Sequence, residues 1–108
     1  MFPVSFDSVS VVVKANVYFD GKVISHGILL EDGRRKSLGV ILPGEYHFGT
    51  ADPEVMEITA GSCEVVIDGT QETLAVAAGA SFSIDGGSGF TIRVKDQPCE
   101  YICSFGQP

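Results

Sequence analysis

Residues Gly39–Gly61 read GVILPGEYHFGTADPEVMEITAG, and the alternation within them decides how the rest of the chain is read. An apolar run, Val40-Ile41-Leu42, meets a turn at Pro43-Gly44 and continues as Glu45-Tyr46-His47-Phe48. A second turn, from Gly49 to Pro53, leads into Glu54-Val55-Met56-Glu57-Ile58-Thr59. Alternate side chains of a strand share a face. Glu45 and His47 therefore project together, and Tyr46 and Phe48 project the other way. Glu54, Met56 and Ile58 share a face of the following strand. Two orientations are open for this hairpin. Either Glu45, His47 and Glu54 line a cavity, or they lie on a solvated face, the commoner fate of isolated Glu and His.

Working outward, the same grammar repeats. Upstream, Val23–Leu30 and Arg35–Leu42 are strands flanking a hairpin turn at Glu31-Asp32-Gly33, a sequence of the Asp-Gly type. Asn16–Val23 is two short extended pieces about Asp20-Gly21, and Val9–Val13 is a short apolar run. Downstream, strands are expected at Ser62–Ile67, Glu72–Val76, around Phe82 and Ile84, at Phe90–Lys95 and at Cys99–Phe105. Turns carrying Gly, Asp or Pro separate them. No segment keeps a helical period over three turns. About ten short strands with regular turns predict an all-β barrel or sandwich that removes its edges by closing.

Composition agrees with this and excludes several functions. The chain of 108 residues carries 13 glycines, well above the roughly 7% of average proteins, as many tight turns require. Its length fits one domain. The formal charge of -7, with no basic cluster larger than Arg34-Arg35-Lys36, excludes a nucleic-acid backbone as partner. No run approaches the roughly 18 apolar residues of a membrane-spanning helix, and the N-terminus lacks the pattern of a secretory signal. The three cysteines, Cys63, Cys99 and Cys103, form no disulfide framework, which predicts reduced thiols in a cytoplasmic protein. Cys99 and Cys103 would lie about 13 Å apart on one strand, too far to hold one ion, so small apolar side chains are expected there.

A resemblance now becomes visible. Gly39-x5-Glu45-x-His47, Glu54-x6-Gly61 and Gly79-x5-Asp85-x-Gly87 are similar to the two-part cupin signature. Glu45 takes the place of its first His, Asp85 that of its Pro, and Phe90 that of its last His. More specifically, the chain resembles the short single-domain pyrimidine/purine nucleoside phosphorylases of that superfamily. The matching segments are Asn16-x-Tyr18-Phe19-x-Gly21-Lys22-Val23, Ser37-x-Gly39-Val40, Gly44-Glu45-Tyr46-x-Phe48-x-Thr50-Ala51-x-Pro53-Glu54-x-Met56 and Tyr101-x-Cys103. The resemblance implies a single cupin barrel (a double-stranded β-helix, or jelly roll) over 16–108. Residues 1–15 precede it as an edge or exchanged strand.

It also implies phosphorolysis: a nucleoside and orthophosphate give a free base and ribose 1-phosphate, with broad tolerance of purines and pyrimidines. Cleaving the N-glycosidic bond builds positive charge on the ribose and negative charge on the base. The site therefore needs a phosphate clamp, a polar wall by the sugar and a flat surface for the base. Arg35 and Ser37 are spaced to share a face and are the phosphate candidates, with Arg93 the alternative clamp. Glu45, His47 and Glu54 are the catalytic candidates, their carboxylates stabilising developing positive charge. Tyr46, Met56, Phe90 and Tyr101 are the nucleoside-binding candidates, although aromatic residues are as often simply core. No cofactor and no metal are expected, orthophosphate being a co-substrate, and a homodimer is expected. A metal-dependent cupin enzyme using Glu45, His47 and Glu54, and a non-catalytic small-ligand barrel, stand as alternatives.

Overall fold

The short apolar runs fold as strands, and the Gly- and Asp-rich stretches between them fold as turns. The computed structural model describes residues 2–106. Met1 of the N-terminal extension and Gln107-Pro108 of the barrel domain lie outside the described residues. In chain order the strands are β1 (Ser10–Val11), β2 (Asn16–Tyr18), β3 (Val23–Leu29), β4 (Arg35–Ile41), β5 (Gly44–Thr50) and β6 (Glu54–Ala60). They continue as β7 (Ser62–Ile67), β8 (Leu74–Ala77), β9 (Ser81–Ile84), β10 (Ser88–Val94) and β11 (Cys99–Phe105). One 3-10 turn, Phe19–Gly21, follows β2.

The strands form two antiparallel sheets. The large, seven-stranded sheet runs β1-β3-β4-β11-β6-β9, with β2 also paired to β3. The small sheet runs β5-β10-β7-β8. The fold is the all-β cupin jelly roll, but its sheets do not close into one hydrogen-bonded barrel: each keeps its edges. β1 lies along the edge of this chain's own β3, pairing Ser10 with Leu29 and Val11 with Ile28.

Register shows why one end of the space between the sheets is solid and the other hollow. Paired residues share a face, so the inner face of the large sheet is a series of cross-strand rows. One row holds Val23, Ile41 and Cys99, all essentially inaccessible to solvent. The next holds Asn16, Ser25, Gly39 and Tyr101, and the one after it Gly27, Ser37, Cys103 and Met56. The first of these rows is bulky and apolar, and packs against Val65 and Ile92 of the small sheet in one continuous core. The middle of the other two is Ser25 with Gly39 and Ser37 with Cys103. Side chains this small cannot reach the opposite sheet, and a cavity of about 770 Å³ remains above them.

Gly39 is indispensable to that floor. A Cβ at this position would lie 2.3 Å from the ring of Tyr101, which lies across β4 toward Ser25. Only glycine lets the tyrosine lie flat on the sheet.

Candidate active site

The cavity opens between the β5 edge of the small sheet and the β2–β3 end of the large one. Its lining includes Asn16, Tyr18, Ser25, Arg35, Ser37, Phe48, Glu54, Met56, Phe90, Tyr101 and Cys103. At about 770 Å³ it falls within the range of small-molecule sites.

One wall is aromatic. Phe48 and Phe90 stack with centroids 5.7 Å apart and planes at 29°. Tyr18 meets Phe48 edge-on at 5.7 Å, and Phe19 meets it at 5.4 Å. Phe19 and Asp20 both hold positive φ, 52° and 56°, in the left-handed region that non-glycine residues avoid. Such strain persists only where the surroundings enforce it. Here the turn holds the Phe19 ring against Phe48 and Tyr46.

The floor is polar in two groups. Asn16 Nδ2 donates to Ser25 Oγ at 3.3 Å, and Ser25 shares its cross-strand row with Tyr101. Burial raises the Tyr101 phenol well above its ordinary value, so it stays protonated. In the second group the Cys103 thiol donates to Glu54 Oε1 at 3.5 Å, with Ser37 beside Cys103. Burial, followed by the Glu54 charge, pushes the Cys103 thiol up. Glu54 itself is half-buried. Burial raises its carboxyl above the ordinary glutamate value; the Cys103 bond opposes this, and the Asp52 charge adds to it.

At the rim, the Arg35 guanidinium lies 5.5 Å from the Phe105 ring centre and 3.7 Å from Asp52. Its side chain is 65% exposed. It is a cation held loosely at the mouth, on the same inner face as Ser37.

The structure thus brings Arg35, Ser37, Glu54, Met56, Phe90 and Tyr101 to one cavity. Three expectations are corrected. Glu45 does not point inward: it lies on the outer face of β5, where Arg93 Nη2 approaches its Oε1 at 2.9 Å. Arg93 also reaches Glu64, at 3.4 Å, so the alternative clamp is engaged outside as well. Tyr46 does point inward but does not line the cavity. Its hydroxyl donates to the carbonyls of Leu42, at 2.8 Å, and Pro43, at 3.1 Å, anchoring the turn before β5. His47 shares the outer face of β5 with Glu45 and reaches only the rim. Its Nε2 lies 2.8 Å from Asp68 Oδ2, in space that Gly89 leaves free, since a Cβ there would lie 2.5 Å from the Asp68 carboxylate. Glu45 and His47 share one cause. Tyr46 and Phe48 bury more apolar surface than Glu45 and His47, and that burial sets the parity of β5.

Asn16, Tyr18, Ser25 and Cys103 belong to the cavity, yet reading the residues singly assigned them no role. For Asn16, Tyr18 and Cys103 the signal available was their presence in the segments that carry the family resemblance; Ser25 lies outside those segments. Among the described residues, no three His, Cys, Asp or Glu side chains converge as metal ligands.

The sequence profile of the pyrimidine/purine nucleoside phosphorylases matches residues 13–105. The chain belongs to that family. A relative of that name from Aromatoleum aromaticum is 54% identical over 101 residues, covering 94% of each chain. A crystal structure of a protein of unknown function from Acinetobacter sp. ADP1 is 45% identical, with a TM-score of 0.90, over 94% of this chain and 97% of that one. The EutQ protein of Clostridium difficile, at 14% identity and a TM-score of 0.65 over 78% of this chain and 68% of its own, shares the fold alone. Every cavity residue described above lies within the family match.

Proposed function

We propose that this cavity carries out phosphorolysis of nucleosides, purine and pyrimidine alike, to free base and ribose 1-phosphate. The observation that carries the proposal is the cavity's polarity from end to end. A loosely held arginine and a buried serine hydroxyl stand at one end, a carboxylate stands beside them, and aromatic rings with a bonded polar row occupy the other.

Arg35 and Ser37 receive orthophosphate, the guanidinium by paired N–H donors and the serine by its hydroxyl. Arg35 leaves Asp52 to do so, a small cost for an exposed ion pair. A phosphate oxygen forms a bond to C1′ as the C1′–N bond breaks. The base leaves with the electron pair and takes up a proton, which phosphate in its singly charged form supplies overall. Glu54 faces the ribose, where its charged form accepts hydrogen bonds from the sugar hydroxyls and stabilises the positive charge that develops there. Cys103 holds that carboxylate in place. Stacking on Phe48, Phe90 and Tyr18 discriminates little between bases, which gives broad tolerance.

No metal is required in this reading. Phosphate is the nucleophile, and the cavity's carboxylate is bonded to a thiol rather than grouped with other ligands. The acting species is a homodimer. The outer face of the large sheet supports this, with Ile24, Leu38 and Val40 each more than a third exposed. With three buried free thiols, a reducing, cytoplasmic setting suits the chain.

The test is phosphate-dependent release of base from uridine and inosine by chelator-treated protein. Turnover independent of phosphate, or loss of turnover on chelation and its return with a divalent ion, would overturn the reading. Light scattering that shows only an 11.4 kDa species at micromolar concentration would overturn the dimer.

A further inference from the structure

Phe19 holds a backbone conformation that its turn does not require. β2 and β3 are paired as far as Tyr18 and Val23, and the residues between those two reverse the chain. The Lys22 N–H donates to the Phe19 carbonyl at 3.2 Å, enclosing Asp20 and Gly21. These two have φ of 56° and 89°, the positive pair that a tight hairpin turn demands and that an Asp-Gly sequence supplies. Phe19 lies outside that central pair. Its own φ is 52°, and for a bulky side chain the left-handed region is a genuine outlier.

Packing within the chain does not account for it either. The Phe19 ring meets Tyr46 with centroids 5.0 Å apart and Phe48 edge-on at 5.4 Å. Even so, Phe19 is 45% exposed. Phe82 and Phe90, on the regular strands β9 and β10, are 6% and 2% exposed, so burial of a phenylalanine here needs no strained backbone. The Phe19 ring lines the cavity beside Tyr18 and Phe48. Strain of this kind clusters at ligand clamps. A flat ligand in the cavity would cover the apolar surface that the chain itself leaves open.

We propose that Phe19 is a further base-contacting residue. The strained turn holds its ring at the cavity mouth, and a bound nucleobase lies in the corner between the Phe19 and Phe48 rings, whose planes stand at 88°. The identity of the ligand rests on the phosphorolysis reading. The contact uses the π-faces and no hydrogen bond, so it serves purines and pyrimidines alike. It does not extend to the ribose or the phosphate, which lie toward Glu54 and Arg35.

The experiment measures calorimetric affinities for inosine, uridine and ribose 1-phosphate, and melting temperatures, in wild type, Phe19→Ala, Phe19→Gly and Phe19→Tyr. Both ringless variants should weaken the two nucleosides about tenfold, the scale of one lost stacking contact, and leave ribose 1-phosphate unchanged. Phe19→Tyr should keep the wild-type affinities. The ringless variants differ from each other in backbone freedom. Glycine accepts the φ of 52° and alanine resists it. Phe19→Gly should therefore melt about 4 °C above Phe19→Ala, the reverse of their order at an unstrained position. Unchanged nucleoside affinity in Phe19→Ala overturns the proposal, as does an equal loss for ribose 1-phosphate, the mark of a cavity that has collapsed. Phe19→Ala melting at or above Phe19→Gly removes the strain and overturns it too. A wild type that binds no nucleoside overturns both this proposal and the reading beneath it. A wild type that binds nucleosides but releases no base with phosphate overturns the phosphorolysis reading alone.

Discussion

The two ends of the space between the sheets are built from the same strands and obey opposite rules. At the closed end, Val23, Ile41, Val65, Ile92 and Cys99 leave almost no accessible surface. Cys63 and Cys99 lie together there, and hydrogen bonding to Cys99, followed by burial, pushes the Cys63 thiol up. At the open end, β3, β4 and β11 continue with Ser25, Gly39, Ser37, Tyr101 and Cys103, while β10 contributes Phe90 to the aromatic wall. The lesson is that a strand in this fold has no single character. Moving two to four residues along β3, β4 or β11 changes its contribution from stability to site.

The comparison can be broken most forcefully at the closed end. Ile92, with 0% exposure, pairs with Tyr46 and Val65, neither of which lines the cavity. Ile92→Ala should cost about 2–5 kcal/mol of stability, seen as a lower denaturant midpoint, while kcat of the folded protein stays near wild type. A comparable loss of kcat in folded protein would mean the two ends are not separable.

The converse holds for Glu54→Gln, which should lower kcat about a hundredfold, the scale of losing a preorganised charge partner, with little change in nucleoside affinity. The pH dependence follows from the raised Glu54 value. Activity that needs the charged carboxylate falls as pH drops through that raised value, so the acid limb should lie above the ordinary glutamate range and vanish in Glu54→Gln. Stability moves the opposite way. A carboxyl raised in the folded state favours folding below its unfolded value, and this contribution is lost as pH rises through the folded one. Glu54→Gln should therefore flatten the pH dependence of the melting temperature in that window.

Gly39→Ala tests the floor itself. The added methyl displaces Tyr101 and should cost about 1–3 kcal/mol by overpacking, with activity falling in the folded fraction. Arg35→Ala should raise the apparent KM for phosphate. A charge-assisted bond is worth roughly 1.5–3 kcal/mol, and exposure of the side chain places the effect at the low end, about tenfold by that conversion. Smallest of all is Glu45→Gln, which removes an exposed partner of Arg93 and should leave kcat and KM unchanged. A large loss of kcat in Glu45→Gln would return that residue to the site and reverse the reading of β5.

Much of this was legible in the sequence. The alternation in Gly44–Thr50, the turn at Asp32-Gly33 and the apolar runs located most strands to within a residue or two. What alternation cannot supply is which face of β5 turns inward. The partners that satisfy Glu45 and His47 outside are Arg93 on β10 and Asp68 in the turn after β7, and they become neighbours only once register is set. Arg35 and Ser37 fall on one side of β4, as their spacing of two indicates, and both line the cavity. Cys103 was hidden for a different reason. A cysteine in an apolar strand reads as core, and only pairing β11 with β4 and β6 sets it beside Ser37 and within reach of Glu54.

The small residues that hollow out the cavity also limit how it can change. Gly27, Gly39, Ser25 and Ser37 have almost nothing left to remove, so mutation of the floor can only fill the space. Variation toward bulkier ligands is left to the aromatic wall, where Phe48, Phe90 and Tyr18 still have volume to give up. A library aimed at larger bases or modified sugars should therefore be built on that wall and leave the floor untouched.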